Sequence, residues 1–262
     1  MRAAISKSGC REFPSRFATV IAQNRLSHGT SSPESPRPQA ADVDPQATRR
    51  AVVAALHQAK RNKAFQNSRF IGLAVDGTGA GRTDKVRCRL CVPIQDAKER
   101  VCGALHHFAL LSVVGVGLSL PIDVEPYGPG DSEYAAAQRL LRRNVGSLGR
   151  QFADYVVGDG EFATAPFLHT SGDLKLPVVA WLKENLPLLC AAVRARFDPQ
   201  PPQAVFPDGD DRVELWDYDR FDPWEGLEWP EVRVLRYRQH KPVARWCRPS
   251  GSPTFRSAKW AV

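Results

Sequence analysis

The chain has 262 residues, 43% of them hydrophobic, with a formal charge of +8 and an isoelectric point near 9.4. That length holds one large domain or two small ones with a real core, and the basic balance favours polyanionic partners, nucleic acid first. No run of about 18 apolar residues occurs, so no membrane-spanning helix is expected, and the irregular spacing of the six cysteines argues against a disulfide framework and for a reducing cytoplasm.

Residues 1–48 read as a poorly structured segment with a Pro/Ser linker at Ser31–Pro38. From Pro45 the pattern predicts a helix towards Lys63, with Val52, Val53 and Leu56 on one face. The apolar run Phe70–Val75 predicts a strand that ends at Asp76. Residues 85–103 read as irregular. A long strand is expected over His106–Val116, then a turn at Gly117 and a hairpin partner over Leu118–Glu125. Gly128-Pro129-Gly130 breaks the chain, and Asp131 or Ser132 caps the next helix. Tyr134, Ala137 and Leu141 line one face of that helix. Arg139, Arg142 and Arg143 line another, either solvated or facing DNA.

A second short strand, Asp154–Val157, leads to Asp159. Pro166 suits the first turn of a short helix. A strand is expected over Pro177–Leu182, and a helix over Leu186–Phe197 with Asn185 as its cap and Glu184 favourable to its dipole. Residues 198–211 read as a loop that includes a solvated Asp208–Asp211 turn. Strands follow at Val213–Tyr218 and Val232–Tyr237, around a Trp-rich turn. The tail from His240 shows no period. His28, His57, His169 and His240 have no evident partners.

Asp76 and Asp159 are the residues most suggestive of chemistry. Each precedes a glycine, and Asp-Gly after a strand reads as a plain turn. The other reading is that two carboxylates at the ends of neighbouring strands share a divalent cation, which takes oxygen ligands. Element order favours the second reading. Strand with Asp, two strands, helix, strand with Asp, helix, strand, helix is the order of the α/β ribonuclease H-like fold. In that fold a mixed sheet is flanked by helices, and its first and fourth strands lie side by side. The expected division is a segment 1–48, a catalytic core 49–200, a β-rich insertion 201–240 after the second Asp, and an irregular basic tail 241–262.

Cys88-x-x-Cys91 is half a zinc site. Cys102, His106 and His107 are the nearest further candidates. The two histidines alternate along a strand, so at most one joins. The ligand set assigned is Cys88, Cys91 and His107, for a structural Zn2+. The competing reading is reduced structural cysteines beside a strand histidine.

The ordered motifs Ala74-Val75-Asp76-Gly77-Thr78-Gly79, Cys88-Arg89-Leu90-Cys91, His106-His107, Pro129-Gly130-Asp131-Ser132-Glu133, Val157-Gly158-Asp159-Gly160-Glu161-Phe162 and Leu182-Lys183-Glu184-Asn185 resemble the DDE transposases of bacterial insertion sequences, over roughly residues 48–240. The resemblance implies that Asp76 and Asp159 are catalytic and bind Mg2+ or Mn2+. It implies metal-dependent phosphodiester hydrolysis and strand transfer in DNA transposition. The expected partner is double-stranded DNA, both element ends and target, with a homodimer on paired ends, no membrane, and a cytoplasmic, nucleoid-associated location. The family's third acid lies on a later helix. Here no Asp or Glu follows Glu231, and Arg245-Trp246 only echoes a pair that precedes that helix. The expectation is therefore a truncated copy lacking the third acid, with a short DNA-end-binding region before it. Glu133, Glu161 and Glu184 are the candidate substitutes. The alternatives are a non-catalytic DNA-binding remnant and a stand-alone ribonuclease H-like nuclease.

Overall fold

The computed structural model describes residues 44–65, 70–115 and 119–241, and the backbone of 259–261. The expectations for residues 1–43, for Gly117 and for Arg245-Trp246 lie outside them. Two compact units divide between Tyr155 and Val156.

The unit that ends at Tyr155 opens with α1 (Pro45–Arg61). Asp44 caps it by accepting hydrogen bonds from the Gln46 and Ala47 amides, donors that the first turn leaves without partners. Leu56 is its buried contact, and Lys60 Nζ holds the Gln151 and Phe152 carbonyls. Four strands follow: β1 (Gly72–Thr83), β2 (Cys91–Gln95), β3 (Val101–Val114) and β4 (Leu120–Tyr127). All pair antiparallel with β3. β1 takes one edge, while β2 and β4 divide the other along its length.

The expected end of the first strand at Asp76 is corrected. β3 is 14 residues long, and it continues to pair with β1 through Gly77↔Ala109, Gly79↔His107 and Ala80↔His106. Asp76 therefore sits within a strand, opposite Leu110. Residues 85–103 are also more ordered than expected. β2 folds back on β3 around a turn in which Asp96 Oδ1 accepts from the Lys98 and Arg100 amides.

α2 (Glu133–Leu148) is capped by Ser132, whose hydroxyl accepts from the Ala135 amide. It buries Ala136, Ala137, Leu140, Leu141, Val145 and Leu148, and each fully buried leucine or valine contributes about 1.5–3 kcal/mol of transfer free energy. Its expected basic face is neither plainly solvated nor open. Arg139 pairs with Glu125 and Asp131, and Arg143 with Asp123 and Glu125. Before Tyr155, the Asp154 amide bonds the Ile71 carbonyl and its carboxylate accepts from the Ile71 amide.

The second unit contains most of β5 (Tyr155–Gly158), a 3-10 turn (Gly160–Phe162), α3 (Ala165–Asp173), β6 (Val178–Ala180) and α4 (Pro187–Phe197). β5 and β6 are parallel, with Val156 opposite Val178, as a connection through a helix requires. Phe162, Phe167, Leu168, Val193 and Phe197 form the core here. Asn185 does not cap α4. Leu186 holds that position without a side-chain bond, and Asn185 donates to the Gly160 carbonyl instead. Glu184 accordingly lies before the helix, not in its first turn.

An antiparallel sheet follows: β7 (Ala204–Asp208), β8 (Asp211–Phe221), β9 (Val232–His240) and a short β10 (Lys259–Ala261). β7 replaces part of the expected loop, because the Asp208–Asp211 turn, with Gly209 at φ 61°, returns the chain directly onto β8. Trp216 is buried, with Nε1 donating to the Gln200 carbonyl. The chain is thus of the α/β class, with the element order of the ribonuclease H-like fold and a β-rich region after Asp159.

Candidate functional site

Asp159 follows β5 and caps the 3-10 turn, its Oδ1 accepting from the Glu161 amide at 2.8 Å. Its other oxygen, Oδ2, accepts from Lys183 Nζ at 2.8 Å. Lys183 also reaches Glu161 Oε1 at 3.3 Å. Two carboxylates two residues apart therefore converge on one cationic group. The bond from Asp159, and secondarily Glu161, holds the Lys183 ammonium above its usual range against a smaller opposing effect of burial.

Local backbone makes this possible. A Cβ at Gly160 would stand 2.4 Å from Lys183 Cγ and 2.8 Å from the Trp181 carbonyl oxygen, so the lysine stem passes where any other residue would put its side chain. Cys190 Sγ and Asn185 hold the neighbouring Lys183 and Gly160 carbonyls. All three charged groups are accessible, with side-chain exposures of 44% for Asp159, 52% for Glu161 and 42% for Lys183. An exposed ion pair is worth little as stability, and accessible carboxylates can exchange partners.

Asp76 lies in the other unit, exposed on β1. The next residue, Gly77, faces α2. A Cβ there would meet the Glu133 carboxylate at 2.1 Å, and Glu133 Oε2 accepts from the Tyr127 hydroxyl at 3.0 Å. Burial, with help from Glu133, pushes the Tyr127 hydroxyl up to about 12. Strand alternation sends Asp76 to the opposite face from Gly77, so Glu133 is not aimed at the Asp76 carboxylate.

The cysteine cluster forms with a different histidine from the one expected. Cys88 Sγ and Cys91 Sγ are 3.6 Å apart, and His106 Nε2 lies 3.2 Å from the first and 3.4 Å from the second. His107 points away and stacks obliquely on Tyr127 at 5.5 Å between ring centres. Cys102 donates to the Ile94 carbonyl. The corrected set, Cys88, Cys91 and His106, has a simple origin: Cys91 opens β2 directly opposite His106 on β3. The sequence signal was there, but only for a reader who allowed residues 85–103 a strand. The Arg87 amide donates to Cys91 Sγ at 3.4 Å and draws that thiol below its usual range, against burial.

The remaining histidines among the described residues do have neighbours. His57 meets the Phe152 ring edge-on, His169 lies by the Gly226 carbonyl and Trp229, and His240 pairs with Glu214. No helix among the described residues is long and apolar enough to cross a membrane.

No protein-family model matches the sequence, and no curated protein does. Among solved structures, the chain is similar to a piggyBac transposase in a synaptic complex with hairpin DNA, at 13% identity and a TM-score of 0.34, over 74% of this chain and 39% of that one. It is also similar to a Mos1 mariner paired-end complex with Mn, at 14% identity and a TM-score of 0.25, over 60% of this chain and 49% of that one. The chain thus spans less than half the length of either structure it matches. Likeness of this extent assigns no activity.

Proposed function

We propose that the chain acts on double-stranded DNA as a DDE-type transposase, with Asp76 and Asp159 as metal-binding carboxylates in phosphodiester hydrolysis and strand transfer. The observation that carries this reading is the convergence of Asp159 and Glu161 on a single cation, Lys183, at the carboxyl end of a strand in a β-α-β unit. Ligands collect at such positions in open α/β sheets. Support also comes from the ordered motifs, from Asp76 on the first strand, and from the +8 charge, which suits a phosphate backbone.

The donors are hard oxygens, as Mg2+ or Mn2+ requires. A bound divalent ion would supply charge stabilisation at the scissile phosphate. Asp159 would be one of its ligands, with the turn amide holding Oδ1. Glu161 stands as a second acid beside Asp159, on the same cation. Lys183, released from the carboxylates, has the charge and reach to meet a phosphate oxygen. In this reading two copies act on paired DNA ends.

The test is nicking of a supercoiled plasmid by the purified chain with Mn2+. Wild type should nick, and Asp76→Asn and Asp159→Asn should each lose about 100-fold or more in rate, as loss of an electrostatic stabiliser does. Metal-independent nicking, or full activity in either variant, overturns the assignment. Retarded DNA with no nicking at any metal concentration would favour the DNA-binding remnant instead.

A further inference from the structure

We infer that Cys88, Cys91 and His106 bind one Zn2+ that staples the start of β2 to β3 and fixes the basic loop between β1 and β2. The inference rests on geometry within the unit ending at Tyr155 and is independent of the DNA reading. Around a tetrahedral zinc with bonds of about 2.3 Å to sulfur and 2.0–2.1 Å to nitrogen, ligand atoms lie about 3.8 Å apart for two sulfurs and about 3.5 Å for sulfur and nitrogen. The observed edges are 3.6, 3.2 and 3.4 Å, close to one face of such a tetrahedron. The sulfur separation is far beyond a disulfide bond of about 2.05 Å.

The chain is built closely around this face. The Cys91 amide bonds the Cys88 carbonyl to close a tight turn, and the Arg87 amide points at Cys91 Sγ, a bond that favours a thiolate. Behind the imidazole, β1 slips register between Ala80 and Thr83. There Gly81 takes φ 69°, and a Cβ on it would stand 3.2 Å from His106 Nδ1. The bulge thus makes room for the ring and turns Nε2 towards the sulfurs. At the turn's back, a Cβ on Gly128 would stand 2.9 Å from Leu90 Cα.

Two thiolates and an imidazole are borderline-soft donors that select zinc over Mg2+ or Ca2+. Among the described residues no fourth His, Cys, Asp or Glu joins the three; the inferred site has these three protein ligands and solvent in the fourth position. Metal binding expels two thiol protons to solvent and leaves a neutral dithiolate centre. Its consequence is mechanical: the exposed residues Arg82, Lys85, Arg87 and Arg89 become part of a closed loop anchored at both ends.

The experiment uses the full chain. Purified under reducing conditions, it should contain one equivalent of zinc. Cobalt should replace zinc and give the thiolate charge-transfer band. Cys88→Ser, Cys91→Ser and His106→Ala should each lower metal affinity at least 10-fold. His107→Ala, and a Cys10→Ser/Cys102→Ser/Cys247→Ser combination, should retain it. Trypsin provides a readout that survives if a ligand variant folds poorly: in wild type, chelation should speed cutting within Arg82–Arg89 about 10-fold, and added zinc should reverse it. No stoichiometric metal, loss of binding in His107→Ala or in the triple cysteine variant, or cleavage indifferent to chelation would each overturn the inference.

Discussion

Asp123 and Asp159 each hold a basic side chain at 2.8 Å, but the Asp123 side chain is 5% exposed and that of Asp159 44%. Asp123 accepts from Arg49, Arg143 and Asn144 together, a set drawn from α1 and α2. Asp159 accepts from Lys183 and from a turn amide. The first carboxylate is locked among three donors at a buried position. The second is tied to a lysine that water can replace. Burial therefore separates a structural acid from an acid free to change its cation, although contact distance alone makes them look alike.

The largest effect should come from breaking the buried set. Asp123→Ala removes the acceptor that Arg49, Arg143 and Asn144 share, leaving Arg143 on Glu125 and Asn144 on the Leu140 carbonyl, and removing one partner of a buried charge cluster costs about 3 kcal/mol. A urea titration should show the midpoint fall with an unchanged slope. A loss below about 1 kcal/mol would mean that Glu125 and nearby carbonyls satisfy the freed donors and that the cluster is not a fixed unit.

The same cluster sets an acid limit, a smaller and graded effect. Burial raises the Asp123 carboxyl, but the bonds from Arg49, Asn144 and Arg143 outweigh it, and the net displacement is downwards. Glu125 is also held low by Arg143 and Arg139 against burial. For a depressed carboxylate the stabilisation is complete above its unfolded value, about 3.9 for Asp and 4.3 for Glu. It is lost as pH falls through the folded value. Stability of the wild type should therefore decline below about pH 4, and Asp123→Ala should flatten that decline. Equal acid slopes in the two proteins would place the linkage elsewhere.

The two regions also differ in how far they could be read from sequence. α2 and its Ser132 cap follow from local pattern, and so do the strand before Asp159 and the Pro166 helix. Residues whose meaning depends on long-range pairing were less legible. Gly77-Thr78-Gly79 looks like a turn until a 14-residue partner strand is laid beside it. His107 and His106 are equivalent until register puts Cys91 opposite His106. Arg139 and Arg143 look like an open basic face until β4 supplies Asp123 and Glu125. In each case a non-local backbone pairing chose between side chains that local chemistry could not rank.

Lys183 offers the smallest effect on stability and the sharpest contrast with Asp123. Its folded value is raised by Asp159 and Glu161, so whatever stability the pair adds is present below the unfolded lysine value, about 10.4, and lost as pH rises through the folded one. With both partners over 40% exposed, solvent screening reduces that contribution to little. Lys183→Gln should change folding stability by less than about 0.5 kcal/mol. It should nevertheless raise Mn2+ affinity at Asp159 and Glu161, because a competing positive charge is gone from between them. Isothermal titration with Mn2+ measures this directly, and the double variant Lys183→Gln/Asp159→Asn should abolish the gain. If the single variant binds Mn2+ no better than wild type, Lys183 does not occupy the cation position, and the convergence of the two acids on it has no bearing on metal binding.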